Sequence, residues 1–255
     1  MKFNIIEIDS VDSTNSYAIE LERSNVIHEG DVVLANYQKG GKGQGDNSWE
    51  SEYGSNLTFS LVLKPAFISP SNQFVLTQIV SLAIAEVVSS KLSNIDSAVV
   101  KVKWPNDIYV NEKKISGILF QNFISGNKIE KSIVGIGMNI NQNEFVSNAK
   151  NPVSLIHHIG VESSRDEILD DLLSRINYRY EELKSDFDFQ DLKTEYMENL
   201  YRAGEWSNFS DKGGSFTGKI IDIDEYGQLE IITKSGIVRV YSFKEVEFVN
   251  ETMGQ

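Results

Sequence analysis

The stretch FVLTQIVSLAIAEVVSSKL, residues 74–92, limits the possible folds more than any other part of the sequence. It is long and apolar enough for a largely buried helix, and such a helix needs packing partners around its whole circumference. Strand-like segments lie on both sides of it in the sequence, at residues 56–63 and 98–103. Further on, GILFQNFIS and KSIVGIGMNI are predicted to pair as strands around the turn SGNK. These segments predict a mixed α/β domain whose sheet is built largely from hairpins.

Two further regions complete the predicted fold. Strands at residues 3–8 and 31–36 flank a helix whose N-cap oxygen could come from Asp12, Ser13, Thr14 or Asn15. From about residue 163 to 201 the periodicity is helical, with apolar side chains at Ile168, Leu172, Leu173, Ile176, Tyr180 and Leu183. Past Gly204, short alternating runs predict a barrel of about five strands. The chain is therefore predicted to be α+β, with a mixed-sheet domain over residues 1–202 and a small β-barrel over 203–255.

Composition narrows the classes of function. The formal net charge of −13 argues against a nucleic-acid partner, whose phosphates would be repelled, although a local basic pocket is still allowed. The absence of cysteine excludes disulfides and thiolate chemistry, and three histidines leave little for a metal site. No apolar run is expected to approach the length of a bilayer span, and MKFNIIEIDS carries acids where a signal peptide is apolar. We therefore expect a cytoplasmic protein with no membrane partner.

Four segments have compositions that a core does not need. QKGGKGQGDNSWES spans residues 38–51, and its glycines allow a ligand to approach the main chain. The others are VDSTNSYA, KVKWPNDIYVNEKKISGIL and GIGMNIN, the last with glycines at 135 and 137 in a predicted strand. A flexible loop, a helix cap or solvated hairpin lysines would explain each one singly. Together they offer polar groups for a heterocycle, lysines and amides for a carboxylate and a phosphate, and an aromatic platform for a base, which indicates acyl-adenylate chemistry.

In this order the motifs DSTN, QKGGKGQ, KWPND, KISGIL and GIGMN, with Trp49 ending the loop, resemble those of the biotin protein ligases. The resemblance covers about residues 7–142, and the terminal β-region fits the SH3-like domain of that family. It implies a class II synthetase-like catalytic domain that uses ATP and Mg²⁺ to convert biotin to biotinyl-5′-AMP. The biotinyl group then passes to a lysine of a biotin carboxyl carrier protein.

The resemblance also implies roles for individual residues. Biotin is expected to contact Ser13, Thr14, Asn15, Gln38, Gly41, Lys42, Gly117 and Gly135. ATP or the adenylate is expected to contact Lys42, Gly43, Gln44, Trp49, Asn106, Lys114 and Asn139. Lys114 is the expected catalytic cation, and Asp107 either orients Mg²⁺ or accepts a proton from the incoming lysine. The loop over residues 38–51 is expected to close over biotin and the adenylate and to exclude water.

The loop departs from the family in one respect. The family pattern is arginine-rich, GRG[RQ]xGRxW, whereas Lys42, Asp46 and Asn47 here replace an Arg, a Gly and an Arg, and Gly45 occupies the variable position. Lysine keeps the charge but loses the bidentate fork of arginine. We therefore predict a looser grip on the adenylate than an arginine-rich loop would give.

Three alternatives stay open from the sequence. A lipoate protein ligase shares the architecture but needs an apolar slot for a dithiolane, and a non-catalytic biotin-binding module would need neither Lys114 nor Asp107. A nucleic-acid-binding module is the weakest option, because the segment DKGGSFTGKIIDIDEYGQLEI is acidic. Since the chain begins almost directly on the catalytic pattern, no N-terminal helix-turn-helix is expected. An exposed sheet edge could support a homodimer or the docking of the carrier.

Overall fold

The computed structural model describes residues 1–45, 47–147, 149–185 and 189–249. Asp46 of the glycine-rich loop and residues 250–255 of the predicted small domain lie outside these ranges. The helices are α1 (Thr14–Arg23), α2 (Phe74–Lys91), α3 (Ile156–Ile159), α4 (Arg165–Lys184) and α5 (Phe189–Glu198). The strands are β1 (Asn4–Val11), β2 (Asp31–Gln38), β3 (Leu57–Leu63), β4 (Val100–Lys103), β5 (Asp107–Val110), β6 (Lys113–Ser125), β7 (Lys128–Met138), β8 (Trp206–Asp211), β9 (Gly214–Ile223), β10 (Leu229–Thr233), β11 (Val238–Tyr241) and β12 (Glu247–Phe248).

The larger sheet has seven strands in the order β1-β2-β3-β7-β6-β5-β4. β1 and β2 are parallel and connected through α1, while every other neighbouring pair is antiparallel. The predicted mixed sheet and the hairpin of β6 and β7 are confirmed. In the centre of this sheet Gly137 pairs with Thr58 on one side and with Gly117 on the other. Two adjacent strands therefore lack side chains at the same level, which leaves a flat floor on the sheet.

Helix α2 is the buried element that the sequence required. It contacts α4, α5 and strands β4 to β6. The helical segment Pro70–Lys91 is long enough to cross a bilayer, and its most apolar 18-residue window has a mean hydropathy of 1.5, so the expectation that no run reaches that length is wrong. Of its most apolar window, 78% is buried inside the protein. The apolar surface that could face lipid is thus occupied by the protein's own helices and strands.

The predicted helical region at residues 163–201 consists of two helices. Ser164 caps α4, where its hydroxyl accepts a hydrogen bond from the backbone N–H of Glu167 at 3.3 Å. The apolar stripe predicted for this region is buried throughout, at Ile168, Leu172, Leu173, Ile176, Tyr180 and Leu183. These side chains pack on α2 as part of the main core.

The C-terminal strands form a second sheet, antiparallel throughout, in the order β11-β10-β9-β8-β12. It adjoins the larger domain closely. The indole N–H of Trp104 donates to the backbone oxygen of Gly227 at 2.9 Å, and the Trp104 and Phe243 rings lie 5.3 Å apart. The sheet fits the small β-domain expected from the sequence, while the boundary between residues 202 and 203 stays a prediction.

Candidate active site

The first part of the site is the start of α1. Ser13 is the N-cap residue, and its hydroxyl accepts a hydrogen bond from the backbone N–H of Ser16. The Gln38 side-chain oxygen, at the end of β2, accepts from the backbone N–H of Thr14 at 2.8 Å and from its hydroxyl at 3.1 Å. Ser13, Thr14 and Asn15 are all buried. The parallel pairing of β1 with β2 brings these groups together, because both strands end at the same edge of the sheet.

Asn15 links this polar group to the sheet. Its amide N–H donates to the backbone oxygen of Leu119 at 3.2 Å, and its oxygen accepts a hydrogen bond from the Ser60 hydroxyl. Ser60 also bonds to the Thr14 hydroxyl at 2.8 Å. A Cβ added at Gly135 would lie 2.4 Å from the Asn15 oxygen. Gly135 is therefore the residue that lets Asn15 lie flat on the strand, and this cluster could recognise a polar ring.

The glycine-rich loop forms a short hairpin. The backbone N–H of Gly43 donates to the oxygen of Asn47 at 2.7 Å, and that of Trp49 donates to the oxygen of Gly41 at 2.8 Å. A Cβ at Gly41 would lie 2.4 Å from the backbone oxygen of Trp49, so only glycine fits there. The Lys42 ammonium donates to the Ser16 hydroxyl at 3.0 Å. The loop thus leans toward the start of α1.

Trp49 lies on the flat floor of the sheet. A Cβ at Gly137 would lie 2.3 Å from an indole carbon, and one at Gly117 would lie 3.2 Å from another. The indole N–H is buried and has no hydrogen-bond partner among the residues that the structure describes. Gly137 was flagged in the sequence as a glycine in a strand but was not predicted as a site residue. Its role is to admit the indole, which no pattern of spacing could show.

The KWPND turn supplies the charged part of the site. The Lys114 ammonium lies 2.6 Å from a carboxylate oxygen of Asp107 and 5.6 Å from the centre of the Trp49 ring. A register shift in the hairpin of β5 and β6 places Asp107 opposite Gly117, next to the floor. Asn106 holds the turn, since its side-chain N–H donates to the backbone oxygen of Ile118 and its own backbone oxygen accepts from the Ile118 N–H.

Two adjoining cavities meet at Trp49, Asp107 and Lys114. The first has a volume of about 110 Å³, and its lining includes all the predicted site residues except Gly41 and Asn139. The second, of about 530 Å³, is lined partly by Asn139. Asn139 donates to the backbone oxygen of Val153 at 3.1 Å, and its side-chain oxygen is buried with no partner among the described residues. Gly41 lines neither cavity. It shapes the loop through its close approach to the backbone oxygen of Trp49.

Lys103 was not predicted as a site residue, although it lines the larger cavity. Its ammonium donates to the Tyr109 hydroxyl at 3.1 Å and lies near three aromatic rings. Burial lowers the pKa of Lys103, and Asp107 opposes that change while nearby cations add to it. The sequence shows Lys101 and Lys103 as a pair on one strand. It does not show which of them is enclosed.

Glu50 is a second residue that the sequence did not reveal. Its carboxylate accepts hydrogen bonds from the backbone N–H groups of Val146 at 2.9 Å and Ser147 at 2.8 Å, and from the amide of Gln142 at 3.2 Å. Burial alone would raise the pKa of Glu50, but hydrogen bonds from Ser147, Val146 and Gln142 together hold it below its usual value. Glu50 therefore fixes the chain directly after Trp49.

The class of protein follows from this chemistry. A hairpin lysine held against a carboxylate, beside a glycine floor and over the face of an aromatic ring, can bring two anions together, as the joining of a carboxylic acid to a nucleotide requires. Within the described residues there is no group of three or more histidine or acidic side chains that could hold a metal by itself. Any metal at Asp107 would need most of its ligands from a substrate.

Comparison with known proteins gives the family. The model of the Biotin/lipoate A/B protein ligase family matches residues 7–139, and that of the Biotin protein ligase C terminal domain matches residues 208–248. The chain belongs to the biotin/lipoate A/B protein ligase family. The resemblance to biotin protein ligases that the motifs indicated is confirmed, and so is the predicted fold class.

Individual relatives agree with this assignment. The chain is 30% identical over 244 residues to the Bifunctional ligase/repressor BirA of Bacillus subtilis, covering 94% of this chain and 72% of that protein. It is 29% identical to the Biotin--[acetyl-CoA-carboxylase] ligase of Paracoccus denitrificans over 76% of this chain and 80% of the relative. The structure of the biotin protein ligase from Aquifex aeolicus in complex with biotin and ATP superimposes with a TM-score of 0.78 at 29% identity, covering 96% of this chain and 99% of that one.

Proposed function

We propose that this protein activates biotin with ATP and transfers the biotinyl group to a lysine of a biotin carboxyl carrier protein. In the first step an oxygen of the biotin carboxylate attacks the α-phosphorus of ATP, and pyrophosphate leaves. In the second step the amine of the carrier lysine attacks the acyl carbon, AMP leaves, and the nitrogen loses a proton. The observation that carries the proposal is the Lys114–Asp107 pair on the floor where the two cavities meet.

Lys114 is the residue we assign to the first step. A carboxylate and a phosphate repel each other, and a cation between them offsets that repulsion as negative charge builds up at the α-phosphate. Lys114 borders both cavities, so it can face an acid in one and a nucleotide in the other. Its distance of 2.6 Å from Asp107 keeps the ammonium at that junction.

The nucleotide is assigned to the larger cavity. Asn139 has a buried side-chain oxygen without a partner among the described residues, and the exocyclic amine of adenine is a donor that would satisfy it. The Trp49 indole lines the same cavity and offers a face for stacking a purine. Lys42, Gly43 and Gln44 of the loop and Asn106 of the turn line the smaller cavity instead. We propose that these four residues contact the adenylate from that side, where the two cavities meet at Trp49, Asp107 and Lys114.

The head group of biotin is assigned to the polar cluster at the start of α1. A ureido ring carries two N–H donors and one strong acceptor, and Ser13, Thr14, Asn15 and Gln38 present hydroxyl and amide groups next to the cavity. A dithiolane ring has no N–H donor and no strong acceptor, so it could not use the hydroxyl and amide groups that this cluster presents. The cluster therefore favours biotin over lipoate.

Asp107 would suit a magnesium ion that takes most of its ligands from the substrate. Mg²⁺ in nucleotide sites is commonly held by one or two carboxylates together with substrate phosphates, and Asp107 is a single carboxylate beside the proposed α-phosphate position. When bound, the ion would neutralise phosphate charge. In the second step the same carboxylate could accept the proton of the carrier amine, and both roles stay proposals.

Other features of the chain remain predictions. β1 is an edge strand of the larger sheet, and it is the edge at which we propose self-association or carrier docking. The opposite edge is partly covered, because backbone groups of Val102 bond to those of Asn199 and Tyr201. The cytoplasmic location and the lack of a nucleic-acid partner rest on composition alone.

The test is ATP–pyrophosphate exchange with biotin, with lipoate and with neither acid. Exchange with biotin alone, followed by labelling of a carrier domain, supports the proposal. Exchange with lipoate alone would reassign the substrate, and no exchange with either acid would reduce the protein to a binding module. Lys114→Gln should abolish most of the exchange. Lys113 is an exposed neighbour that lies outside both cavities. Lys113→Gln removes the same charge as Lys114→Gln, so this control variant should retain the exchange activity.

A further inference from the structure

Lys103 is a partly enclosed cation without a carboxylate partner. Within the described ranges no acidic side chain lies within ion-pair distance of its ammonium, whereas Lys114 is paired with Asp107 at 2.6 Å and Lys150 lies 3.8 Å from Glu247. A lysine taken out of water usually finds such a partner, because desolvating an unpaired charge is costly. The ammonium of Lys103 therefore has no direct ion pair among these residues.

Aromatic rings fix the position of the ammonium. It lies 4.6 Å from the ring centre of Tyr109, 5.1 Å from that of Phe248 and 5.9 Å from that of Tyr201. Tyr109 belongs to β5, Phe248 to β12 of the small sheet, and Tyr201 to the segment after α5. Such contacts hold a cation in place without neutralising it. We call these three residues the aromatic cage of Lys103.

The hydrogen-bonding capacity of the ammonium is also only partly used. A lysine has three N–H donors, and one of them goes to the Tyr109 hydroxyl at 3.1 Å. Lys103 lines the cavity of about 530 Å³ that also contains Trp49, Asp107 and Lys114. A held cation with spare donors on the wall of that cavity is suited to an anion with several oxygens.

We propose that Lys103 binds the β- and γ-phosphates of ATP and retains them as the pyrophosphate product of the first step. This inference rests on the proposed function and adds a residue to it. When the bond between the α-phosphorus and the bridging oxygen breaks, that oxygen takes the electron pair and the leaving group gains negative charge. Lys103 compensates that charge, while Lys114 serves the α-phosphate. The small sheet then contributes to the reaction through Phe248, one ring of the cage.

The proposal predicts that loss of Lys103 impairs the first half-reaction but not the second. Biotinyl-5′-AMP has no β- or γ-phosphate, so its use should not depend on Lys103. Lys103→Met should raise the KM for ATP, and the pyrophosphate concentration that half-saturates the reverse reaction, by about tenfold to a hundredfold, as for a lost charge-assisted hydrogen bond. Transfer of biotin from purified biotinyl-5′-AMP to the carrier should stay within about twofold of the wild-type rate.

The matched control is Lys101→Met. Lys101 lies two residues earlier on the same strand, and its ammonium is bonded to the backbone oxygen of Glu198 at 2.8 Å outside both cavities. Lys101→Met removes the same charge as Lys103→Met. The KM for ATP, the half-saturating pyrophosphate concentration and the transfer rate should nevertheless all stay near those of the wild type. Lys103→Arg, which keeps a cation, should restore much of the pyrophosphate affinity that Lys103→Met loses.

Calorimetric titration of inorganic pyrophosphate into each protein completes the test, since it needs no turnover. The proposal is overturned if Lys103→Met binds pyrophosphate as the wild type does. It is equally overturned if transfer from biotinyl-5′-AMP falls as much as ATP use, or if Lys103→Arg and Lys103→Met are impaired alike, as a packing role would require. A wild-type protein that binds pyrophosphate but shows no biotin-dependent exchange would refute the proposed function and leave the anion site standing.

Discussion

Substitutions at the two glycines of β7 should have different effects: a change at Gly135 should weaken the binding of biotin, and a change at Gly137 should weaken the binding of ATP. A Cβ at Gly135 would meet the Asn15 side chain at 2.4 Å, and a Cβ at Gly137 would meet the Trp49 indole at 2.3 Å. Ordinary van der Waals contact begins near 3.4 Å, so either neighbour must move by about 1 Å to admit a methyl group. The two positions lie on the same face of one strand and differ only in the side chain that they accommodate.

The consequences for affinity follow from those neighbours. Stacking of a base on an aromatic side chain is worth about 1–3 kcal/mol, so displacing Trp49 through Gly137→Ala should raise the KM for ATP roughly tenfold to a hundredfold. Gly135→Ala should raise the KM for biotin by a similar factor, because it disturbs the cluster that Asn15 joins to Ser60. Stability should respond differently. The Trp49 side chain is only half-buried, whereas Asn15 is buried and bonded to two strands, so only Gly135→Ala should lower the free energy of unfolding, by about 1–3 kcal/mol.

The assay is biotin-dependent ATP–pyrophosphate exchange with each substrate varied in turn, together with urea unfolding. Gly40→Ala is the control, since its added methyl would meet only the backbone oxygen of Asp12 at an ordinary 3.6 Å. If both variants raised the two KM values equally, the assignment of separate subsites to Gly135 and Gly137 would be wrong. A stable Gly135→Ala protein with unchanged biotin affinity would refute the part of the reasoning that concerns Asn15.

Four further predictions concern charged and polar residues of the site. Lys114→Gln should reduce exchange by about a hundredfold to a thousandfold, as for the loss of a group that stabilises developing charge, and Asp107→Asn should raise the Mg²⁺ concentration needed for half-maximal exchange. Glu50 has a lowered pKa, so its contribution to stability is complete above the unfolded value of about 4.3 and is lost as the pH falls through the folded value. Urea unfolding should therefore show Glu50→Gln less stable than the wild type at pH 7, with the difference shrinking in acid; a constant difference would contradict this. The double variant Lys42→Arg with Asn47→Arg should release less biotinyl-5′-AMP and label fewer bystander lysines than the wild type, and equal labelling would remove the argument from the arginine-poor loop.

Most of the fold was predictable because its signals are local. The largely apolar helix α2, the hairpin of β6 and β7 and the stripe on α4 each follow from the composition or periodicity of one continuous stretch of sequence. The expectation that no apolar run reaches the length of a bilayer span was wrong for residues 70–91, but length and hydropathy alone do not show what surrounds such a helix. Burial decides that question, and burial is a property of the assembled molecule.

The site was predictable where a motif carries it and not where packing creates it. Thr14, Gln38 and Lys114 come from short motifs, and all of them line one cavity. Gly137 and Lys103 matter because of what lies above them, an indole from a loop and a ring from β12. Those neighbours are distant in sequence, so no local pattern could indicate them.

The small sheet contributes residues to the site, although the sequence pattern marks it as a separate domain. The alternation of short strands after Gly204 marks a change of pattern, and it correctly predicts a separate sheet. Yet Phe248 of that sheet covers the Lys103 ammonium, and the Lys244 side chain reaches Gly45 at the tip of the glycine-rich loop. Removing the sheet would therefore expose a lysine that we assign to pyrophosphate and release a contact of the loop that carries Trp49. The site depends on residues from both sides of the predicted boundary, and we infer that the larger domain alone would bind ATP more weakly than the whole chain does.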